Sequence, residues 1–301
     1  MDAAELIETL ERVTPVTPAC GPASHALVDF AADDSLLALL YNAAVSEPVP
    51  WRSLFEDTPW WPHWRAGPAL VDLRQAPAFQ QALARRMVEV PGGILLDTSW
   101  TTGGLHRHLS RWLHQGLTGG ETLLRIQDPR KFGPLLCAMP PSQRQALLLC
   151  ASAWSWHDGH RWRLARPFPA TGPAAGQPQT PLPAPPTAEA PALPPDTLAD
   201  VPAFWLASEA QGYATHYADV VPDDDHPARW VLERLLEADR HGVHASQHLE
   251  RWLRLALRHG ASFFRQPPFN ALLDNPQVIL DQRLRAMEDI LEMPDDQRHP
   301  A

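Results

Sequence analysis

Four aspartates at the ends of apolar, strand-like runs are the side chains in this sequence best suited to chemistry: Asp29, Asp72, Asp97 and Asp128. Enzymes of the α/β class often place catalytic carboxylates at strand ends, where a pair of them can act as general acid and base. Aspartate is also the ordinary residue that ends a strand or caps the next helix, and we favour this structural interpretation. The sequence has no Gly-x-Ser-x-Gly elbow, phosphate-binding P-loop or Gly-x-Gly-x-x-Gly motif to accompany them. A hydrolase-like α/β enzyme is therefore the alternative hypothesis.

The histidines and cysteines do not form a convincing metal motif. His241, His244 and His248 fall within eight residues, and an i, i+4 pair can share a metal ion. The pattern instead predicts that one helix ends at Gly242 and that the next begins at Ser246, which makes solvated loop histidines the better interpretation. The three cysteines have no Cys-x-x-Cys spacing. We expect no metal and no cofactor.

The stretch LLRIQDPRKF contains the most informative motif. Asp128 is predicted to cap a helix, with Pro129 in its first turn, where the missing N–H of proline costs nothing. Arg125 stands inside an apolar run that is predicted to be a strand, and a charge there needs a partner. We therefore predict a buried or half-buried ion pair between Arg125 and Asp128, which Arg130 could share. This would be a structural clamp and would have no catalytic role.

The elements that position these residues alternate in type through the first 166 residues. Predicted strands cover residues 24–31, 68–73, 93–100 and 122–128. Predicted helices cover residues 35–44, 78–89, 105–117 and 143–149, the last of them capped by Ser142. Residues 154–164 are predicted to form a hairpin that turns at Asp158-Gly159. Strands alternating with helices predict an α/β amino-terminal lobe.

A proline-rich linker divides the chain. Residues 167–196 carry little charge and no apolar periodicity, and 11 prolines lie between Pro167 and Pro195. Beyond the linker, residues 197–301 are predicted to form an all-α carboxy-terminal lobe. Its predicted helices cover residues 198–220, 227–240, 246–259 and 276–291, with Gly242 and Gly260 as carboxy-terminal caps.

Composition excludes several classes of partner. The formal net charge is −10 and the sequence pI is about 5.7, so there is no general positive potential to attract nucleic acid or anionic membranes. The amino terminus carries Asp2, Glu5 and Glu8 where a signal peptide has positive charge, and no apolar run is long enough for a membrane span. We expect a cytoplasmic protein that binds no nucleic acid and does not insert into membranes.

Tryptophan is concentrated in the first lobe, which holds nine of the twelve. Aromatic residues interleaved with arginine can stack on bases, but the acidic balance favours core packing or a protein-binding surface. The candidate partner-binding aromatics are Trp60, Trp61, Trp64, Trp205, Tyr213, Trp230, Trp252, Phe263 and Phe264.

The segment Arg-Ile-Gln-Asp-Pro-Arg, from Arg125 to Arg130, resembles the Arg-x-x-Asp-Pro-Arg signature of the effector chaperones or adaptors of bacterial type VI secretion systems, also labelled domain of unknown function family 4123. Other landmarks follow in the same order: HALVDFA and GPALVDL resemble the first two strands of that family, and MPPSQR resembles a helix start. Residues 237–273 resemble its helical lobe. The resemblance covers most of the chain.

The resemblance implies a non-catalytic adaptor that binds a toxic effector and delivers it to the VgrG spike protein. Arg125, Asp128 and Arg130 occupy family signature positions, whereas no effector-contact residue can be transferred, because that surface varies with the cargo. The long proline-rich linker departs from the family pattern. Two other hypotheses stay open: the enzyme that uses the strand-end aspartates, and a binding module for some unrelated protein.

Overall fold

The structure is a computed structural model that describes residues 1–114, 123–167, 193, 195–222, 226–275 and 277–290. The chain divides into two compact units. The first, here the amino-terminal unit, is Glu8–Trp205. The second, here the carboxy-terminal unit, is Leu206–Ala301 together with Met1–Ile7. Most of the predicted linker lies outside the described residues, so the domain boundaries at 166 and 197 stay predictions.

A seven-stranded sheet organises the amino-terminal unit. Its strand order is β1-β7-β6-β5-β2-β4-β3, and every neighbouring pair is antiparallel. The strands are β1 (Val16–Thr17), β2 (His25–Asp29), β3 (Trp51–Ser53), β4 (Pro68–Asp72), β5 (Gly93–Asp97), β6 (Ala153–His157) and β7 (Trp162–Ala165). Three of the four predicted strands and the predicted hairpin at Asp158-Gly159 are thereby confirmed.

Helices cover both faces of this sheet, which explains its nearly continuous apolar strands. Leu27, Leu70 and Trp154 contribute to one core, and the alternate residues Val28 and Val71 contribute to the other. The helices of the unit are α2 (Asp34–Ala43), α3 (Pro77–Glu89), α4 (Thr102–Leu113), α5 (Pro129–Ala138) and α6 (Pro141–Leu148), and α1 (Ala3–Val13) precedes them. Helices α2 and α3 pack on one face, and α4, α5 and α6 pack on the other.

The predicted strand over residues 122–128 is wrong for its described part, Leu123–Asp128. This segment turns: the amide of Ile126 donates to the carbonyl of Leu124, and the amide of Asp128 donates to that of Arg125. Leu124 and Ile126 are buried in the core while Arg125 is exposed. That alternation imitates a strand, although the segment joins no ladder and, among the described residues, its one longer-range backbone bond runs from the amide of Leu124 to the carbonyl of Leu113.

Some helix starts differ from the prediction. Helix α6 begins at Pro141 with Pro140 as its cap residue, so Ser142 does not cap it. Several short elements were not predicted from sequence, among them β1, β3 and a 3₁₀ helix over Trp61–Ala66. Each has too few residues to show a period.

The carboxy-terminal unit is helical, as predicted. Its helices are α7 (Val201–His216), α8 (Pro227–Arg240), α9 (Ser246–His259), α10 (Phe269–Leu273) and α11 (Leu280–Asp289), α7 beginning in the first unit. Gly242 and Gly260 have φ of 77° and 88°, the left-handed region expected after a helix. The last helix begins at Leu280, four residues later than predicted. Thus an α/β lobe with an antiparallel sheet and an all-α lobe are both present.

Within the part of the chain that the structure describes, no helix has both the length and the apolar character that a bilayer crossing requires.

Candidate functional site

A polar cleft of about 330 Å³ lies at the edge of the sheet where β2 ends. It is built by four separate segments: the end of β2 with the turn after it, the end of α3, the turn that carries Arg125, and the first residues of α5. Its lining residues are Asp29, Ala32, Asp33, Glu89, Val90, Pro91, Arg125, Asp128, Pro129 and Arg130. The Arg-x-x-Asp-Pro-Arg motif therefore forms one wall of a cleft.

Arg125 pairs with Asp29, which lies 96 positions earlier in the sequence. The Nη2 atom of Arg125 donates to Oδ2 of Asp29 across 3.0 Å. The Asp29 side chain is only 2% exposed, whereas that of Arg125 is 52% exposed. The second oxygen of Asp29 accepts a hydrogen bond from the amide of Ala31. The buried carboxylate thus holds the guanidinium at the mouth of the cleft.

The predicted ion pair between Arg125 and Asp128 is wrong, because the carboxylate of Asp128 accepts a backbone hydrogen bond instead. Its Oδ1 accepts the amide hydrogen of Arg130 at 3.2 Å, and Pro129 occupies the first turn of α5. Asp128 is therefore the helix cap that the sequence predicted. Its Oδ2 lies 3.9 Å from the ammonium of Lys131. The clamp at this corner joins Arg125 to the end of β2.

The other two carboxylates of the cleft are also engaged within the chain. Asp33 caps α2 by accepting the amide hydrogen of Ser35 at 2.8 Å, and it lies 3.6 Å from Arg86. Arg86 also pairs with Glu89 one turn along α3. Neither Asp33 nor Glu89 was predicted from sequence to belong to a site. They reach the cleft only through the tertiary fold, for which a single sequence carries no local signal.

The strand-end aspartates do not converge on one site. Because β2 runs antiparallel to both β4 and β5, His25 stands opposite Asp72, and Asp29 stands opposite Pro68. Asp72 and Asp97 therefore lie at the edge where β2 begins, and Asp29 lies at the other end of a five-residue strand, roughly 13 Å away. Asp97 accepts a hydrogen bond from the hydroxyl of Ser152. The four carboxylates of the enzyme hypothesis are therefore split, because Asp29 and Asp128 line the cleft while Asp72 and Asp97 lie at the other end of β2.

A compact polar network occupies the edge where β2 begins. The Nδ1 atom of buried His25 lies 3.0 Å from the hydroxyl of Ser24, and its Nε2 lies 3.1 Å from that of Thr102. Thr102 donates to Asp72, which is also bound by Arg74. The hydrogen bond from Arg74 lowers the pKa of Asp72 to about 2, and burial lowers the pKa of His25. Ser24 also bonds to backbone groups of β5 and the following loop, so the network fixes strand register.

The three histidines that were predicted to be solvated loop residues each lie beside a different carboxylate of the carboxy-terminal unit. His241 lies 3.5 Å from Glu237, His244 lies 2.8 Å from Asp239, and His248 lies 3.4 Å from Asp281. Over the residues that the structure describes, no three His, Cys, Asp or Glu side chains are grouped in a way that could hold a metal ion.

The candidate aromatics separate into core and surface residues. Trp252 and Phe263 are fully buried and Tyr213 is 8% exposed, so these three belong to the core of the carboxy-terminal unit and offer no partner-binding surface. Their prediction as interface residues is corrected on that ground. Five others are half-buried: Trp60, Trp64, Trp205, Trp230 and Phe264.

Trp61 is the candidate aromatic with a large exposed surface, at 48%. It begins the 3₁₀ helix Trp61–Ala66, which half-buried tryptophans fix on both sides. Trp60 packs against one core of the sheet, and Trp64 packs against the other. The guanidinium of Arg65 stacks on the Trp64 ring at 5.3 Å. A rigid support thus presents Trp61 to solvent.

Comparison with protein-family models agrees with the resemblance seen in the motif. A family model described as Domain of unknown function (DUF4123) matches residues 24–146, which is less than half of the 301 residues. No curated protein matches the chain, and no solved structure does. The matched span contains the whole of the cleft, whereas the likeness of residues 237–273 to the helical lobe of the family stays a prediction. The span from residue 24 to residue 146 is thus similar to a family associated with the chaperones and adaptors of type VI secretion effectors.

Proposed function

We propose that this protein is an effector-specific chaperone or adaptor of a bacterial type VI secretion system. In this role it binds a toxic effector in the cytoplasm and helps to load it onto the VgrG spike protein. The observation that carries the proposal is the family match over residues 24–146, which includes the Arg-x-x-Asp-Pro-Arg motif. The protein would act by binding alone, without a cofactor, and would contact neither nucleic acid nor the membrane interior.

Two features of the surface support a binding role. The exposed Trp61 stands on a rigid support, and tryptophan is the residue type most enriched among those that dominate binding energy at protein interfaces. The cleft supplies charged groups that can orient a bound segment. The enzyme hypothesis has less support. Asp29 and Asp128 share the cleft, but Asp29 pairs with Arg125 and Asp128 caps α5, and β2 separates this pair from Asp72 and Asp97.

Co-purification tests the proposal. The intact chain, carrying an affinity tag, is produced together with the effector encoded beside its gene, and separately with an effector from an unrelated cluster as the control. We expect the neighbouring effector, and not the control, to be retained through a high-salt wash. The same experiment is then repeated with the VgrG protein. Retention of neither the effector nor the spike would reject the adaptor role.

A further inference from the structure

We propose that the cleft beside Asp29 and Arg130 binds a carboxylate-bearing peptide segment of the partner protein. The inference rests on the proposed adaptor function for the nature of the partner, and on the cleft itself for the chemistry. It assigns to Arg125 and Arg130 the role of donors to an acidic side chain or to a chain terminus.

The carboxylates that line the cleft already have partners within the chain. Asp29 accepts from Arg125 and from the amide of Ala31, and Asp128 accepts from the amide of Arg130. Asp33 accepts from the amide of Ser35, and Glu89 pairs with Arg86. Their capacity to accept further bonds from a ligand is therefore reduced.

The arginines, in contrast, retain donors. A guanidinium has five N–H groups, and Arg125 uses one nitrogen, Nη2, to bind Asp29. Within the described ranges its Nε and Nη1 have no acceptor, and the side chain of Arg130 has none at all. Both residues are exposed at the cleft. The guanidinium groups of Arg125 and Arg130 therefore still have donors for a ligand, and their planar geometry matches a carboxylate.

The electrostatic balance favours a single carboxylate over a phosphate. Four acidic residues and two arginines line the cleft, and Arg86 and Lys131 lie beside it. These charges sum to about zero, so no strong positive field is present to hold a dianion. A ligand with one negative charge at the arginines meets less repulsion from Asp33 and Glu89 than a dianion does.

The size and lining of the cleft fit a short peptide segment. Its volume of about 330 Å³ is at the lower end of the range for ligand sites, about 300–1,000 Å³. Ala32, Val90, Pro91 and Pro129 supply apolar surface for the side chains beside the acidic one.

Fluorescence polarisation with the intact protein tests this inference. The probe is a dye-labelled peptide with one carboxylate and an amidated carboxy terminus, Gly-Ala-Leu-Asp-Leu-Ala-Gly, and the matched peptides carry Asn or Lys in place of Asp. We expect the acidic peptide to bind at least about tenfold more tightly than the other two, as the loss of a charged hydrogen bond predicts. Arg130→Gln should weaken its binding by a similar factor. Arg85→Gln, which removes an exposed arginine of α3 outside the cleft, should change binding by less than about twofold.

Three results would overturn the inference: equal affinity for the Asp and Asn peptides, preference for the Lys peptide, or unchanged binding by Arg130→Gln. Inorganic phosphate serves as a competitor, and displacement of the peptide by millimolar phosphate would indicate a general anion site and reject the carboxylate assignment. Arg130→Gln leaves no buried charge unpaired, so it should melt at the wild-type temperature. Arg125→Gln is the second variant, checked by its melting curve.

The failure of this inference differs from the failure of the proposed function. If the wild type does not retain its neighbouring effector, the adaptor role fails whatever the peptides do. If the wild type and Arg130→Gln retain the effector equally, the adaptor role survives and the assignment of the cleft is rejected.

Discussion

The Nε atom of Arg163 lies 2.6 Å from Oδ2 of Asp158, and both side chains are at most 3% exposed. This pair closes the β6–β7 hairpin, since Asp158 also accepts the amide hydrogens of His160 and Arg161. Arg163 in turn donates to the carbonyl of Thr14, just before β1. A fully buried ion pair, of the kind that the sequence suggested near Arg125, is thus found at a turn that was predicted only from its Asp-Gly dipeptide.

Removal of Asp158 should be among the most damaging single changes in the amino-terminal unit. Asp158→Ala leaves the guanidinium of Arg163 buried without its carboxylate, and we expect the free energy of unfolding to fall by about 3–5 kcal/mol. Urea unfolding measures this loss. Arg52→Ala, which breaks an exposed pair with Glu56, is the control and should cost less than about 1 kcal/mol. Equal losses in the two variants would contradict the importance of burial.

Asp128 should behave as a helix cap and not as half of a buried ion pair. Asp128→Ala should lower the free energy of unfolding by about 1 kcal/mol, because the amide of Arg130 loses its acceptor. Asp128→Asn keeps the cap while removing the charge, so its cost should be close to zero. Thermal or urea unfolding of the two variants checks this. A large loss in the Asn variant would show that the charge itself matters.

The network around Asp72 should make stability depend on pH in the acid range. The unfolded carboxyl titrates near pH 3.9, whereas the hydrogen bond from Arg74 lowers its folded pKa to about 2. A lowered pKa stabilises the fold above the unfolded value, and this contribution is lost as the pH falls through the folded value. The stability advantage of the wild type over Asp72→Asn should therefore shrink between about pH 4 and pH 2. Urea unfolding across this range measures it, and a constant difference would contradict the coupling.

Two tryptophans should separate binding from folding. Trp61→Ser removes an exposed ring, so it should reduce retention of the effector while leaving the melting temperature unchanged. Trp252→Ala removes a fully buried ring and should lower the free energy of unfolding by about 3–5 kcal/mol. Co-purification and melting curves of both variants test this. If Trp61→Ser retains the effector fully, the effector must bind a different surface.

Local signals in the sequence predicted local structure well. Proline after Asp128 marked the start of α5, and Gly242 and Gly260 marked helix ends, since each conformation depends on a few neighbouring residues. The Asp158-Gly159 turn was found in the same way. These features are fixed by steric and capping preferences that act over two or three positions.

The composition of the cleft depends on pairings that no local pattern encodes. The partner of Arg125 is 96 residues away, and the register of β2 against β5 decides which carboxylate is within reach. The alternation of Leu124, Arg125 and Ile126 is the same in a strand and in this turn, because both bury every second side chain. Strand direction was equally hidden, since a sheet covered on both faces has continuous apolar strands whichever way they run.

The strand order sets a limit on how far the chain can be shortened. A fragment of residues 24–146 would lack β1, β6 and β7 and would leave β5, which is apolar from Gly93 to Leu96, at an open edge of the sheet. Such an edge is a template for aggregation, and one of the two cores would lose the indole rings of Trp154 and Trp156. We therefore expect the fragment of residues 24–146 to be insoluble. A fragment of residues 1–166 should stay soluble. The smallest part of this chain that we expect to fold alone is thus larger than the segment that the family model matches.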